Sequence, residues 1–224
     1  MSLKASDLAA IRRCSLFNRI AEGDSTALLA CLGARRVRLE KGGVLFRMGE
    51  KANRFAVLLS GSLVVVVYGE DGRRTIIKDL GTGALVAAAQ ALAGVASLRV
   101  GVEASEPSEA LVLNAERVVS PCTQACAFHV RLVWNLMAVM AQKTLELNAR
   151  IEILSHRSTA DRLLSYLRSV AAECGQSEFD IPFDRQQLAD FLCVERSALS
   201  AEISRLSRLG LITSRKNHFA LRRK

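Results

Sequence analysis

The sequence predicts an α+β protein in three parts: a glycine-punctuated β-roll, one long helix, and a small C-terminal domain of short helices closed by a hairpin. Three observations carry that reading. Ten of the fourteen glycines fall between Gly42 and Gly101, where they separate short runs rich in β-branched residues. After Pro121, apolar residues recur at alternating steps of four and three. From Arg185 to Lys224 there are nine Lys or Arg against three acids, so +6 of the formal +9 charge lies in the last 40 residues.

The 224 residues suffice for one large core or two smaller ones. A pI near 9.7 suits a partner such as nucleic acid or an anionic membrane, although net charge alone does not choose between them. No run of 18 apolar residues occurs, and MSLKASD lacks the apolar core of a signal peptide, so no membrane span or export is expected. The six cysteines, at 14, 31, 122, 126, 174 and 193, are scattered, and the expectation is reduced thiols in a cytoplasmic protein.

Residues 5–33 read as short helices with Leu28, Leu29 and Leu32 on a packing face. Strands follow at VLF (44–46), FAVLL (55–59), SLVVVVY (62–68) and TIIKDL (75–80), punctuated by Gly61 and the EDG turn at 70–72. ALVAAAQALA (84–93) reads as a short helix within the roll, after which VGVEA and EALVL return to strand. The long helix runs from about Thr123 to Leu154. Its seam is Val133, Met137, Met140, Thr144, Leu147, Ile151 and Leu154, a heptad pattern best satisfied by the same helix of a second subunit. A further helix at 159–173 carries Leu163, Leu164, Leu167 and Val170 on one side and ends at Gly175; Pro182 keeps FDIPF extended. The implied domains are 1–120, a sensory roll with N-terminal helices; 121–155, the dimerisation helix; and 156–224.

Within the last domain, Asp184 and Gln187 have capping-box spacing, and Leu188 and Leu192 give a first helix its buried face. A turn at Cys193 and Val194 leads to a second helix that buries Leu199, Ile203 and Leu206 and ends at Gly210. TSRKNHFAL then forms a hairpin with Lys216 and Asn217 at its tip, completing a winged helix-turn-helix for double-stranded DNA. Arg196, opening the second helix, suits a bidentate contact to guanine O6 and N7, and Ser197 and Ser200 can approach bases. Arg185, Arg205, Arg215 and Lys216, with His218 beside them, are the candidate phosphate contacts. Glu202 cannot favour phosphate and is expected to pair internally with Arg205 or Arg208.

The roll, the long helix and FDRQQLADFLCVERSALSAEISRLSRLGLI together resemble the CRP/FNR superfamily of bacterial transcription regulators, over about residues 10–222. The run PCTQACAFHVRLVWNLMAVMAQKTLELN (121–148) resembles a branch common in anaerobic bacteria whose effectors are mostly unassigned. The resemblance implies a cyclic-nucleotide-binding-type roll and a homodimer on a palindromic site. Arg196 falls on a family arginine that contacts DNA, whereas Ala201 stands where many members carry a second base-contacting arginine. The family's ribose-binding glutamate is replaced near Ala87, and Arg99 is offset by one residue from the phosphate-binding arginine, which in a strand changes its face. Ordinary cyclic AMP is therefore not expected. Leu85, Ala87 and Arg99 are the candidate effector-pocket residues for an unknown small molecule, with core filling as the simpler role of the apolar run.

Cys122, Cys126 and His129 are the candidate ligands for zinc, haem or an iron–sulfur cluster, but their spacing matches none of the strong signatures and local packing is the expectation. No phosphate-binding loop, dinucleotide fingerprint or nucleophile elbow occurs, so an enzyme is not expected. The reading is an effector-responsive DNA-binding regulator. The alternative is a ligand-binding interaction module without specific DNA recognition. RNA polymerase becomes a partner only if the protein activates, since repression needs only site occupancy.

Overall fold

Strand β3 (Arg54–Ser60) is buried on both faces, and this organises the first half of the chain. Alternate side chains leave a strand on opposite sides. Phe55, Val57 and Leu59 therefore enter a core shared with the N-terminal helices, while Ala56 and Leu58 enter a second core inside the roll. Strand β8 (Ser108–Asn114) repeats the pattern: Leu111 and Leu113 join the first core, Ala110 and Val112 the second.

The computed structural model describes residues 4–120 and 127–222. The helical side comprises α1 (Ala5–Arg13), a 3-10 turn at Ser15–Phe17 and α2 (Glu22–Cys31). The other strands of the first half are β1 (Arg35–Leu39), β2 (Val44–Phe46), β4 (Leu63–Tyr68), β5 (Arg74–Leu80), β6 (Leu85–Val86) and β7 (Gly101–Ala104), with α3 (Ala88–Leu92) following β6 and α4 (Ala115–Val119) following β8. They form two four-stranded sheets, ordered β1-β8-β3-β6 and β2-β7-β4-β5. Pairing is antiparallel, and Phe46, Leu63, Val86, Leu98 and Val102 fill the space between the sheets.

ALVAAAQALA is not one helix. Leu85 and Val86 pair with Val57 and Ala56 as an edge strand, and Ala87, at φ 61°, turns the chain into α3. Ladder hydrogen bonds and the burial of Val86 override the helix preference of the alanines. At an edge of the other sheet, β5 is exposed from Arg74 to Asp79, Ile76 and Ile77 included, and its register with β4 shifts between Val65 and Val66.

The long helix α5 (Ala127–Ser155) is followed by α6 (Thr159–Cys174), β9 (Glu178–Asp180), α7 (Arg185–Leu192), α8 (Arg196–Arg208), β10 (Ile212–Arg215) and β11 (His218–Leu221). The chain divides into two compact units, residues 1–141 and 142–224. In the first, Leu132 and Leu136 of α5 enter the helix-side core, His129 Nε2 meets the Val118 carbonyl at 2.9 Å, and Asn135 Nδ2 donates to the carbonyls of Leu16 (2.9 Å) and Asn18 (2.7 Å). Arg36 joins α1 to the sheet by pairing with buried Asp7 and with Glu109.

Of the heptad seam, Met137, Leu147 and Ile151 are exposed, Thr144 is exposed, and Val133 and Leu154 are half-buried. Met140 instead leans on the helix-side core. Val130, Trp134 and Leu145, which the heptad pattern misses, join the seam's Met137 in an open apolar row, with Trp134 63% exposed. Among the described residues, no helix is long and apolar enough to cross a membrane.

Candidate nucleic-acid interface

The second unit has its own core, in which Leu163 and Leu167 of α6, Leu188, Ala189 and Leu192 of α7, and Leu199, Ile203 and Leu206 of α8 pack with Ile212 and Phe219 of the hairpin. Ala189 is fully buried where α7 approaches its neighbours, and a larger side chain would hold them apart. The capping box is complete: Asp184 Oδ1 accepts from Gln187 N at 2.8 Å, and Gln187 Oε1 accepts from Asp184 N at 2.9 Å.

The turn between α7 and α8 passes through Cys193 at φ 52°, a left-handed conformation that strains a residue with a Cβ. Arg162 of α6 holds it there. Its Nη1 donates to the carbonyls of Leu192 (3.2 Å) and Cys193 (3.4 Å), while its Nε donates to His156 O at 2.9 Å. Nothing in the local sequence around Arg162 announces this role, because its partners lie six and about thirty residues away.

Helix α8 presents Arg196, Ser197, Ala201 and Ser204 to solvent, with Ser200 half-buried. Ser204 Oγ donates to the Ser200 carbonyl at 3.0 Å and is occupied within the helix. Glu202 takes Arg205 in a two-pronged pair, with Arg205 Nη2 to Glu202 Oε1 at 2.6 Å and Nε at 2.9 Å, so the acid is neutralised one turn along. That pairing raises Arg205 above the ordinary arginine value and leaves Arg196 as the exposed cation at the start of the helix.

The wing is β10 and β11, paired from Ile212↔Leu221 to Arg215↔His218, with β9 on its other edge. Lys216 at the tip has φ 56°, and Asn217 Nδ2 donates to Ile181 O at 3.2 Å. Arg215 and Lys216 are exposed. Arg185 is engaged differently. Its guanidinium lies 5.6 Å from the centre of the Phe219 ring and donates to Ser214 Oγ (3.2 Å) and Lys216 O (3.3 Å), and partial burial lowers its pKa. His218 sits between Asp180 (Nδ1 to Oδ1, 2.9 Å) and Glu178 (Nε2 to Oε1, 2.9 Å) and does not project as a separate cation.

The Glu178 hydrogen bond is the largest cause holding His218 above the ordinary histidine value, followed by that of Asp180. A histidine whose folded-state value is raised stabilises the fold fully below its unfolded value and loses that contribution as pH rises through the folded one. The β9–β11 edge should therefore loosen as pH climbs from the ordinary histidine value of 6.5 through the raised one. Amide exchange of Phe219 and Leu221, which face β9, corrected for its intrinsic pH dependence, should accelerate in that window for the wild type and show no such step in His218→Gln.

The effector candidates are dispersed. Leu85 packs in the helix-side core, Ala87 packs between the sheets, and Arg99 is exposed while its neighbour Leu98 is buried in the roll. Cys122 and Cys126 lie outside the described residues. His129 is buried, and among the described residues no group of three or more His, Cys, Asp or Glu side chains is placed to hold a metal.

Two family models match the chain: the cyclic nucleotide-binding domain over residues 36–124, and the Crp-like helix-turn-helix domain over residues 161–223. No curated protein matches it by sequence. Among solved structures, the chain is similar to the catabolite activator protein of Thermus thermophilus (20% identity, 93% of each chain covered, TM-score 0.52). It is also similar to CLP, the c-di-GMP responsive global regulator of Xanthomonas campestris (19% identity, 91% of this chain and 100% of that one, TM-score 0.54). A third is DNR of Pseudomonas aeruginosa (20% identity, 100% and 97%, TM-score 0.52). These likenesses are of fold. With the cyclic nucleotide-binding domain and the Crp-like helix-turn-helix matched in order along one chain, the protein belongs to the CRP/FNR superfamily of bacterial transcription regulators and has the domains of a DNA-binding regulator.

Proposed function

We propose that the protein acts as a homodimer on a palindromic DNA site, each winged domain reading one half-site, with the roll responding to a small effector. The observation that carries the DNA reading is the exposed face of α8, where Arg196 pairs with no acid among the described residues while Glu202 is held by Arg205. Arg196 would supply the direct readout, with Ser197 and Ser200 beside it. Ala201 offers only a methyl group, which suits a thymine methyl better than a guanine edge. Arg205, Arg215 and Lys216 would contact phosphate and set the register.

Support for the dimer comes from the open apolar row of α5, since a contiguous exposed apolar surface on one helix marks a partner surface. The parts would be the sensory roll (1–120), the dimerisation helix (121–155) and the winged domain (156–224). An effector that favours one arrangement of roll and helix would shift the population able to engage two half-sites. Cyclic AMP is a poor candidate, because the core between the sheets is apolar at Leu98 and Ala87, and Arg99 lies exposed.

Selection from a random pool of DNA duplexes tests this reading. The expected product is a palindrome whose half-sites lie about one helical turn apart, roughly 10 base pairs centre to centre. Enrichment of no sequence, with equal affinity for all duplexes, would instead make the protein a ligand-binding interaction module.

Arg185 is assigned here to holding the wing, so that its effect on DNA passes through Lys216. Arg185→Ala should weaken binding and also speed amide exchange at Arg215 and Phe219 in the free protein. A contact made only to phosphate would leave the free protein's exchange unchanged and lower the salt slope by about one per subunit. Arg185→Lys keeps the charge but not the fork, and should rescue little.

A further inference from the structure

A cavity of about 400 Å³ opens at one end of the sheet β1-β8-β3-β6, in the roll-containing unit. Its walls include Arg35, Arg54 and Arg117, and Val37, Leu45 and Phe46 contribute apolar surface. The three arginines come from three elements, yet the topology gathers them. Arg35 of β1 and Arg54 of β3 flank β8 on either side, opposite Val112 and Asn114. Arg117 follows in the first turn of α4, where its backbone N–H donates to the Asn114 cap at 3.1 Å.

Gly33 completes the arrangement. Its φ is +64°, and a Cβ there would come within 2.6 Å of Arg117 Nη1, so the missing side chain is what leaves room for the guanidinium. Among the described residues, no carboxylate lines the cavity. Arg54 reaches Glu50 at 3.4 Å, a long contact, and Arg35 and Arg117 have no carboxylate partner among the described residues. Three convergent cations, at most one of them offset, repel one another unless an anion joins them. Guanidinium forks match phosphate oxygens, and a hollow of this size suits a small molecule. The apolar wall suits an uncharged group attached to that phosphate.

We infer that this cavity binds a small phosphomonoester carrying an apolar group. The site includes none of Leu85, Ala87 and Arg99 and belongs to a different unit from the winged domain, so it stands whether or not the DNA reading holds. Calorimetric titration of the full-length protein with phenyl phosphate at low salt is the test. The expected result is saturable binding, several-fold tighter than that of inorganic phosphate. It should weaken about tenfold or more in the double variant Arg35→Ser, Arg117→Gln. Both residues are exposed, so the fold should survive, and Arg73→Gln, which removes one exposed arginine beside the 70–72 turn, should bind like wild type. Absence of saturable binding, binding that survives loss of both arginines, or equal weakening in Arg73→Gln would overturn the inference. So would an acidic peptide such as oligoglutamate binding through Arg35 and Arg117 while phenyl phosphate does not, which would make the cavity a protein contact.

Discussion

Arg196→Ala is expected to remove most sequence discrimination from DNA binding while leaving the protein folded. The side chain is exposed at the start of α8 and takes no part in the core of its unit. A bidentate arginine–guanine contact contributes about 1–3 kcal/mol of discrimination. A dimer makes it twice, so affinity for the selected palindrome should fall on the order of a hundredfold or more, with affinity for random duplex little changed. Comparing the two duplexes at one salt concentration decides the matter, since the phosphate contribution is common to both. Equal weakening on both would move Arg196 to the backbone-contacting set and leave Ser197 and Ser200 as the only base readers.

The second large effect belongs to α5. Trp134→Glu combined with Met137→Glu places two charges in the open apolar row, at positions that are 63% and 49% exposed in one chain. A single chain should tolerate both changes, whereas a subunit interface would have to desolvate four carboxylates. Sedimentation velocity should show conversion from dimer to monomer. Losing the second half-site removes bivalent binding, and affinity for the palindrome should drop by about 10²- to 10⁴-fold. The circular-dichroism spectrum should keep its helical signal. A dimer that persists in the double variant would place the interface elsewhere.

Much of this arrangement is legible in the sequence because it rests on short-range chemistry. The capping box at Asp184 and Gln187, the three-residue spacing of Glu202 and Arg205, and the continuous apolar run FAVLL all involve neighbours in the chain. What is hidden depends on distant partners. Leu85 and Val86 become strand because β3 offers an open edge some thirty residues earlier. Arg185 resembles any other basic residue near a recognition helix, and its attachment to the wing appears only when Ser214 and Lys216 are brought to it. The seam of α5 is ambiguous for a related reason. The helix carries apolar residues on more than one face, and only the roll's use of Leu132, Leu136 and Met140 shows which row stays open.

The pairing of β1 with β8 has a consequence for how the chain acquires its structure. Arg35 meets Val112 across that ladder, so the roll closes only after most of its own length has been made and collapsed. In the winged unit the hairpin joins Arg215 to His218 directly, and α7 and α8 are separated by a three-residue turn. Contacts between near neighbours in sequence form faster than those that close long loops. During refolding, pulse-labelled amides of α7, α8 and the hairpin should gain protection ahead of those in β1 and β8. A chain caught midway would hold its DNA-reading half already assembled while its sensing half was still open.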